Sequence, residues 1–106
     1  MAPPSSARFW DTTRRYAEDV ASTARLFLPA APGAAERLRR ACDDLFALLA
    51  GSPAHPAALE TALGSVLAVE AEVDRAAEAL PPDVHLLLST RARLLRRRLA
   101  SLRRTA

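Results

Sequence analysis

The segment DVHLLLSTRARLLRRRLASLRR, residues 83–104, repeats apolar residues at spacings of three and four. That spacing places them on one face of an α-helix. From Arg91 to the end of the chain there are seven arginines and no acidic residue. The segment therefore predicts a cationic amphipathic helix over about 83–104, with Asp83 as its N-cap. The predicted core stripe of this helix is Val84, Leu88, Ala92, Leu95, Leu99 and Leu102.

Three more segments with helical periodicity precede it, and proline- or glycine-containing stretches separate them. They predict helices over about 7–28, 34–50 and 54–80. Because short loops join antiparallel neighbours, the 106-residue chain is expected to be a single all-α domain, an up-down-up-down four-helix bundle. The predicted core residues of these helices are Phe9, Thr13, Tyr16, Val20, Ala24 and Phe27; Leu38, Ala41, Cys42, Leu45, Leu48 and Leu49; and Leu59, Leu63, Val66, Glu70, Val73, Ala77 and Leu80.

The composition is that of a soluble globular domain, since 50% of the residues are hydrophobic and 25% are charged. Cys42 is the only cysteine, which excludes an internal disulfide and favours a place in the core. No stretch has the apolar length of a membrane span, and residues 1–8 carry no signal sequence. A cytoplasmic location is expected.

The charge is divided unevenly along the chain. Residues 55–80 have a net charge of −4 and residues 81–106 one of +6, within a total of +3. The third and fourth helices should therefore form a hairpin with complementary faces. Glu70 falls on the core stripe, where an unpaired charge would cost several kcal/mol. Either Arg91 or Arg98 pairs with it, or the third helix is rotated so that Glu70 lies at the edge of the core.

No motif in the sequence indicates catalysis. His55 and His85 each lie at a predicted helix start without a second metal ligand at helical spacing. Glu70 and Glu72 point to different faces of their helix, and the chain has no glycine-rich phosphate loop. The sequence predicts a protein that is not an enzyme and that has no cofactor and no metal site.

The arginines of the last helix predict a phosphate-binding surface that reads the nucleic acid backbone rather than the bases. No aromatic residue lies in this helix, so base stacking is not expected. RNA and DNA both remain open. The alternatives are a solvated helix end, an acidic protein or anionic lipid as partner, and arginine enrichment through a GC-rich genome. The predicted site is Arg91, Arg93, Arg96, Arg97, Arg98, Arg103 and Arg104, with Arg37, Arg39 and Arg40 as a further basic surface.

The apolar arc of the last helix is wider than one packing contact needs. Leu87 and Leu94 lie together on its flank, beside Arg91 and Arg98, and Trp10 lies beside the stripe of the first helix. These features predict a homo-oligomer whose interface includes Trp10, Leu87 and Leu94.

Two segments and the helix after them carry a resemblance to a known family. They are ERLRRACDDLFALLA (residues 36–50) and ALETALGSVLAVEAEVDRAAEAL (residues 58–80), followed by a short turn and an arginine-rich helix. In helix lengths and in leucine and arginine placement the chain resembles the accessory variability determinant proteins of diversity-generating retroelements, which are small basic four-helix bundles. Its last helix has LRRRLASLRR (residues 95–104), whereas the usual last helix of that family has a glycine-tryptophan ending.

The resemblance implies a ring-like homo-oligomer, typically a pentamer in that family. It also implies binding to a reverse transcriptase and to nucleic acid, in support of mutagenic reverse transcription and without catalysis by the protein itself. The alternative function is a protein-interaction or scaffold bundle whose arginines pair with acidic protein surfaces.

Overall fold

The computed structural model describes residues 7–29, 32–51 and 56–105. These residues form four α-helices: α1 Ala7–Phe27, α2 Pro32–Gly51, α3 Pro56–Arg75 and α4 Pro82–Thr105. Each helix packs on the next, and α1 also packs on α4, so that the four close into a bundle. The predicted all-α four-helix bundle is confirmed. In this arrangement α4 has α1 on one side and α3 on the other, and α2 lies diagonally across.

Prolines begin three of the helices, at Pro32, Pro56 and Pro82. The first helical position suits proline, because the amide it lacks would have no partner within the helix. The prediction that Asp83 caps α4 is wrong. The amide of His85 donates to the carbonyl oxygen of Pro81 at 2.9 Å, so Pro81 occupies the cap position. Asp83 lies in the first turn, where its charge still favours the positive end of the helix dipole.

The α-helical part of α3 ends at Arg75, five residues before the predicted end. Residues 76–79 continue in turns, where the amide of Ala79 donates to the carbonyl of Ala76, three residues back, at 2.9 Å. The prolines at 81 and 82 supply no amide hydrogen to extend the helix and disfavour helical geometry in the residue before them. The helix therefore loosens before it reaches Leu80, which is nevertheless buried.

The core stripe predicted for α4 is confirmed. Leu88, Leu95 and Leu99 are fully buried, each contributing roughly 1.5–3 kcal/mol to folding. Val84 is partly buried and packs against this core. Ala92 and Leu102 complete the buried set in α4.

Three residues predicted for the core are instead exposed: Phe27, Leu48 and Ala77. Leu28 and Phe46 are buried although they were not predicted to be. Phe46 turns toward α1, where it meets the ring of Trp10 at a centroid distance of 5.8 Å. Aromatic packing therefore shifts the buried arc of α2 away from Leu48. The side chain of Leu49 lies outside the described residues.

Cys42 is a core residue, as predicted. Burial raises the pKa of its thiol to about 12, because the apolar surroundings disfavour the thiolate. The thiol is therefore neutral at physiological pH.

Candidate nucleic-acid interface

The arginines of α4 divide into an outer group and two groups that face the neighbouring helices. Arg93, Arg97 and Arg104 form the outer group, and we call them the arginine ridge. All three are exposed, and their side chains make no hydrogen bond or ion pair with any residue that the structure describes. They lie within about 40° of one another around the helix, on the side opposite the core. Along the axis they are spaced by about 6 Å and about 10.5 Å.

Arg91 and Arg98 face α1. The guanidinium of Arg91 donates to the carboxylate of Asp19 at 2.8 Å, and the two side chains are 38% and 41% exposed. Because Arg91 meets Asp19 and Arg98 meets the start of α1, the two helices run antiparallel. Neither arginine belongs to the ridge on the outer side of α4.

Arg98 binds α1 without any carboxylate. Its Nε donates to the hydroxyl oxygen of Thr13 at 2.9 Å, and a second nitrogen donates to the carbonyl of Phe9 at 3.3 Å. Its guanidinium carbon lies 4.6 Å from the ring centroid of Phe9 and 5.4 Å from that of Tyr16. Thr13 is fully buried, and its hydroxyl donates a hydrogen bond to the same carbonyl oxygen of Phe9 at 2.7 Å. Hydrogen bonds and cation–π contacts thus join the two helices.

Arg96 and Arg103 face α3. Arg96 donates to Glu70 at 2.8 Å, and Arg103 donates to Glu60 at 3.2 Å. The prediction that Arg91 or Arg98 is the partner of Glu70 is wrong, because both of those arginines turn toward α1. The alternative is confirmed: Val69 is fully buried, and Glu70 lies half-buried at the edge of the core. The predicted complementarity of the third and fourth helices is present in these two pairs.

The second predicted basic surface is not continuous with the ridge. Arg39 pairs with Glu36 and, at 3.7 Å, with Asp43 on its own helix. The hydrogen bond from Arg39, followed by its charge, lowers the pKa of the Glu36 carboxyl below its ordinary value. Arg37 and Arg40 line a shallow groove between α2 and α3. Since α2 lies diagonally across from α4, this groove and the ridge belong to different sides of the bundle.

Exposed leucines accompany the arginines of α4. Leu87 and Leu94, predicted for an oligomer interface, are 40% and 39% exposed. Leu86 is 67% exposed and, seven residues before Arg93, continues the line of the ridge. Leu86 was not among the predicted site residues, although the rotation of 100° per residue in an α-helix places it in line with the ridge.

Trp10 is half-buried inside this chain. Its ring meets the ring of Phe9 edge-on, with centroids 5.0 Å apart and an interplanar angle of 87°, and it also packs on Phe46. The guanidinium of Arg14 lies 5.4 Å from the ring centroid of Phe46 on α2. The contacts of Trp10 with α2 therefore stabilise the bundle itself, and its role between subunits stays a prediction.

Within residues 7–29, 32–51 and 56–105 no three His, Cys, Asp or Glu side chains come together in a way that could hold a metal ion. His85 is half-buried near the start of α4, and its Nε2 atom has no hydrogen-bond partner among the described residues. His55 lies outside the described residues. No described helix has a stretch long and apolar enough to cross a membrane.

Comparison of the chain with protein-family models, with curated proteins and with solved structures finds no match. The likeness to the accessory variability determinant proteins therefore rests on the sequence pattern alone. A reverse transcriptase partner and a ring-like assembly are proposals for this chain.

Proposed function

We propose that this protein is a non-catalytic, oligomeric accessory protein that binds the phosphate backbone of nucleic acid through the arginine ridge. One observation carries the proposal. Of the seven arginines of α4, four bind groups on α1 or α3, and the three of the ridge have no side-chain partner among the described residues. The four contacts join α4 to its neighbouring helices, and the ridge is left as a row of donors on the outer side of one helix. Arginine suits this role because its planar group donates to phosphate through two nitrogens at once.

The flank formed by Leu87 and Leu94 supports an oligomer. The two leucines are seven residues apart, so they lie on one side of α4 about 10.5 Å from each other. Both retain about two-fifths of their surface in the single chain, which a second copy would cover. In that assembly several ridges would bind one nucleic acid molecule, and the linked contacts would raise the overall affinity. A reverse transcriptase is the protein partner that the resemblance implies.

A protein-interaction scaffold is the second candidate, and Leu86 is the observation that favours it. This exposed leucine continues the line of the ridge, so an acidic helix with an apolar residue could lie along α4. The pairs Arg96–Glu70 and Arg103–Glu60 show the same chemistry already in use between α4 and α3.

Fluorescence anisotropy with labelled RNA, single-stranded DNA and double-stranded DNA separates the two candidates. The test variant is Arg97→Gln with Arg104→Gln. The control is Arg8→Gln with Arg15→Gln, which removes two exposed α1 arginines that have the same seven-residue spacing. Both variants lower the net charge by the same amount, and circular dichroism verifies that each retains its helices.

The proposal predicts binding near physiological salt that the α4 variant loses and the α1 variant keeps. Equal losses in the two variants would show that the charge of the whole chain, and not the ridge, drives binding. If the wild-type protein binds none of the three nucleic acids, the proposal is wrong. The scaffold candidate then predicts capture of an acidic helical peptide that contains leucine.

A further inference from the structure

The ridge has a shape that distinguishes between nucleic acid partners. We infer that its ligand is double-stranded nucleic acid, held by the phosphates of the duplex; this rests on the proposed function. The three arginines stand on the outward side of a helix that is anchored on both flanks, by Arg91–Asp19 toward α1 and Arg96–Glu70 toward α3. They form a nearly straight row about 16.5 Å long.

The described aromatic side chains cannot serve this row as stacking platforms. All five aromatic residues of the chain lie on α1 or α2, and Phe9, Trp10, Tyr16 and Phe46 are buried or half-buried. Phe27 is exposed, but it lies at the end of the bundle where α4 begins. Because α1 and α4 are antiparallel with Asp19 level with Arg91, Phe27 is about 15 Å from Arg93 along the axis, and about 30 Å from Arg104.

Proteins that bind single strands combine a basic groove with aromatic stacking, which contributes roughly 1–3 kcal/mol per base. A ridge without stacking partners forgoes that contribution. A single strand would also lose conformational freedom when its phosphates align with a row of arginines on one helix, whereas a duplex presents its phosphates in a rigid array. The geometry therefore favours a duplex.

The higher phosphate charge density of a duplex also favours it over a single strand. The carboxylates of Asp19, Glu70 and Glu60 pair with Arg91, Arg96 and Arg103 on the flanks of α4. Arg98 donates to Thr13 and Phe9 instead, so among the described residues the arginines of α4 without a partner are those of the ridge, on its outward side. A duplex carries one phosphate charge per roughly 1.7 Å of axis, so about ten lie alongside a row of this length. With three contacts, the salt exponents are about −2.7 for a duplex and about −2.1 for a single strand. For a duplex and a single strand of equal affinity at 1 M salt, this difference in exponent gives about a fourfold preference for the duplex at 0.1 M salt.

The test uses the full chain and a labelled 24-base-pair DNA duplex, a labelled RNA duplex of the same sequence, and the separate strands, chosen without self-complementarity. Competition at 0.1 M salt gives the ratio of affinities. We expect each duplex to bind at least about fourfold more tightly than its strands. The preference should disappear in Arg97→Gln with Arg104→Gln and persist in Arg8→Gln with Arg15→Gln.

Single strands that bind as tightly as the duplexes would overturn this inference and leave the proposed function intact. A duplex preference that both variants retain would also overturn it, because the duplex would then be bound elsewhere. Failure of every nucleic acid to bind would refute the proposed function and this inference together.

Discussion

Replacing Arg98 with alanine should destabilise the bundle although no carboxylate pairs with this arginine. The substitution removes the hydrogen bond to Thr13 at 2.9 Å, the longer one to Phe9 at 3.3 Å, and the guanidinium contacts with two rings. A hydrogen bond to a charged group contributes about 1.5–3 kcal/mol, and a cation–π contact about 0.5–1 kcal/mol at a partly exposed site. Allowing for non-additivity, we expect the free energy of unfolding to fall by about 2–4 kcal/mol.

The matched control is Arg97→Ala on the ridge. Arg97 is the adjacent residue, is exposed, and has no side-chain partner among the described residues, so its loss should change the free energy of unfolding by less than about 0.5 kcal/mol. Urea unfolding followed by circular dichroism at one fixed protein concentration measures both. Thr13→Val, alone and combined with Arg98→Ala, completes a double-mutant cycle that isolates the hydrogen bond.

The cycle should give a coupling of about 1–2 kcal/mol that changes little between low and high salt, because the pair is partly buried. If the free energies of unfolding of Arg98→Ala and Arg97→Ala differ by less than about 0.5 kcal/mol, the claim that Arg98 stabilises the packing of α4 on α1 is wrong. A coupling that vanishes in salt would contradict the partly buried geometry.

Three further predictions concern other parts of the bundle. Burial raises the pKa of the Cys42 thiol from 9.0 to about 12. The contribution of the neutral thiol to the free energy of unfolding should therefore be fully present below about pH 9 and be lost progressively toward pH 12. In native protein at pH 8 the thiol should react with a thiol reagent far more slowly than in urea; equal rates would contradict its burial. A double-mutant cycle of Glu70→Gln and Arg96→Gln should give a coupling of only about 0.2–1 kcal/mol, since the Arg96 side chain is 39% exposed, and a coupling above 2 kcal/mol would contradict that exposure. Leu87→Ser with Leu94→Ser should lower the molar mass measured by light scattering while circular dichroism is unchanged, and an unaltered mass would exclude this flank as the interface.

The core of α4 could be predicted because leucine supplies most of it. Leu88, Leu95 and Leu99 recur at helical spacing, and burial of large apolar side chains decides which side of a helix faces inward. In α3 the spacing pattern allowed two rotations, one with Val69 and one with Glu70 in the core. The cost of burying a charge selects Val69, in agreement with the predicted rotation that places Glu70 at the edge of the core.

The partners of the α4 arginines were harder to predict. Net charge indicated correctly that α3 attracts α4, but it could not choose among arginines one residue apart. The contacts of Arg98 involve Thr13, Phe9 and Tyr16, and none of these three is acidic. A search for opposite charges overlooks such partners. A signal was available in the seven-residue spacing of Arg91 and Arg98, which places both on the flank of α4 that faces a neighbouring helix.

The most direct test of the account is the salt dependence of duplex binding by the wild-type chain and the two double variants. Each phosphate contact contributes about −0.9 to the slope of log K against log salt. We expect a slope about 1.8 less steep for Arg97→Gln with Arg104→Gln, and an unchanged slope for Arg8→Gln with Arg15→Gln. The same slope in all three proteins, or an equal change in both variants, would contradict the claim that the arginine ridge holds the phosphates.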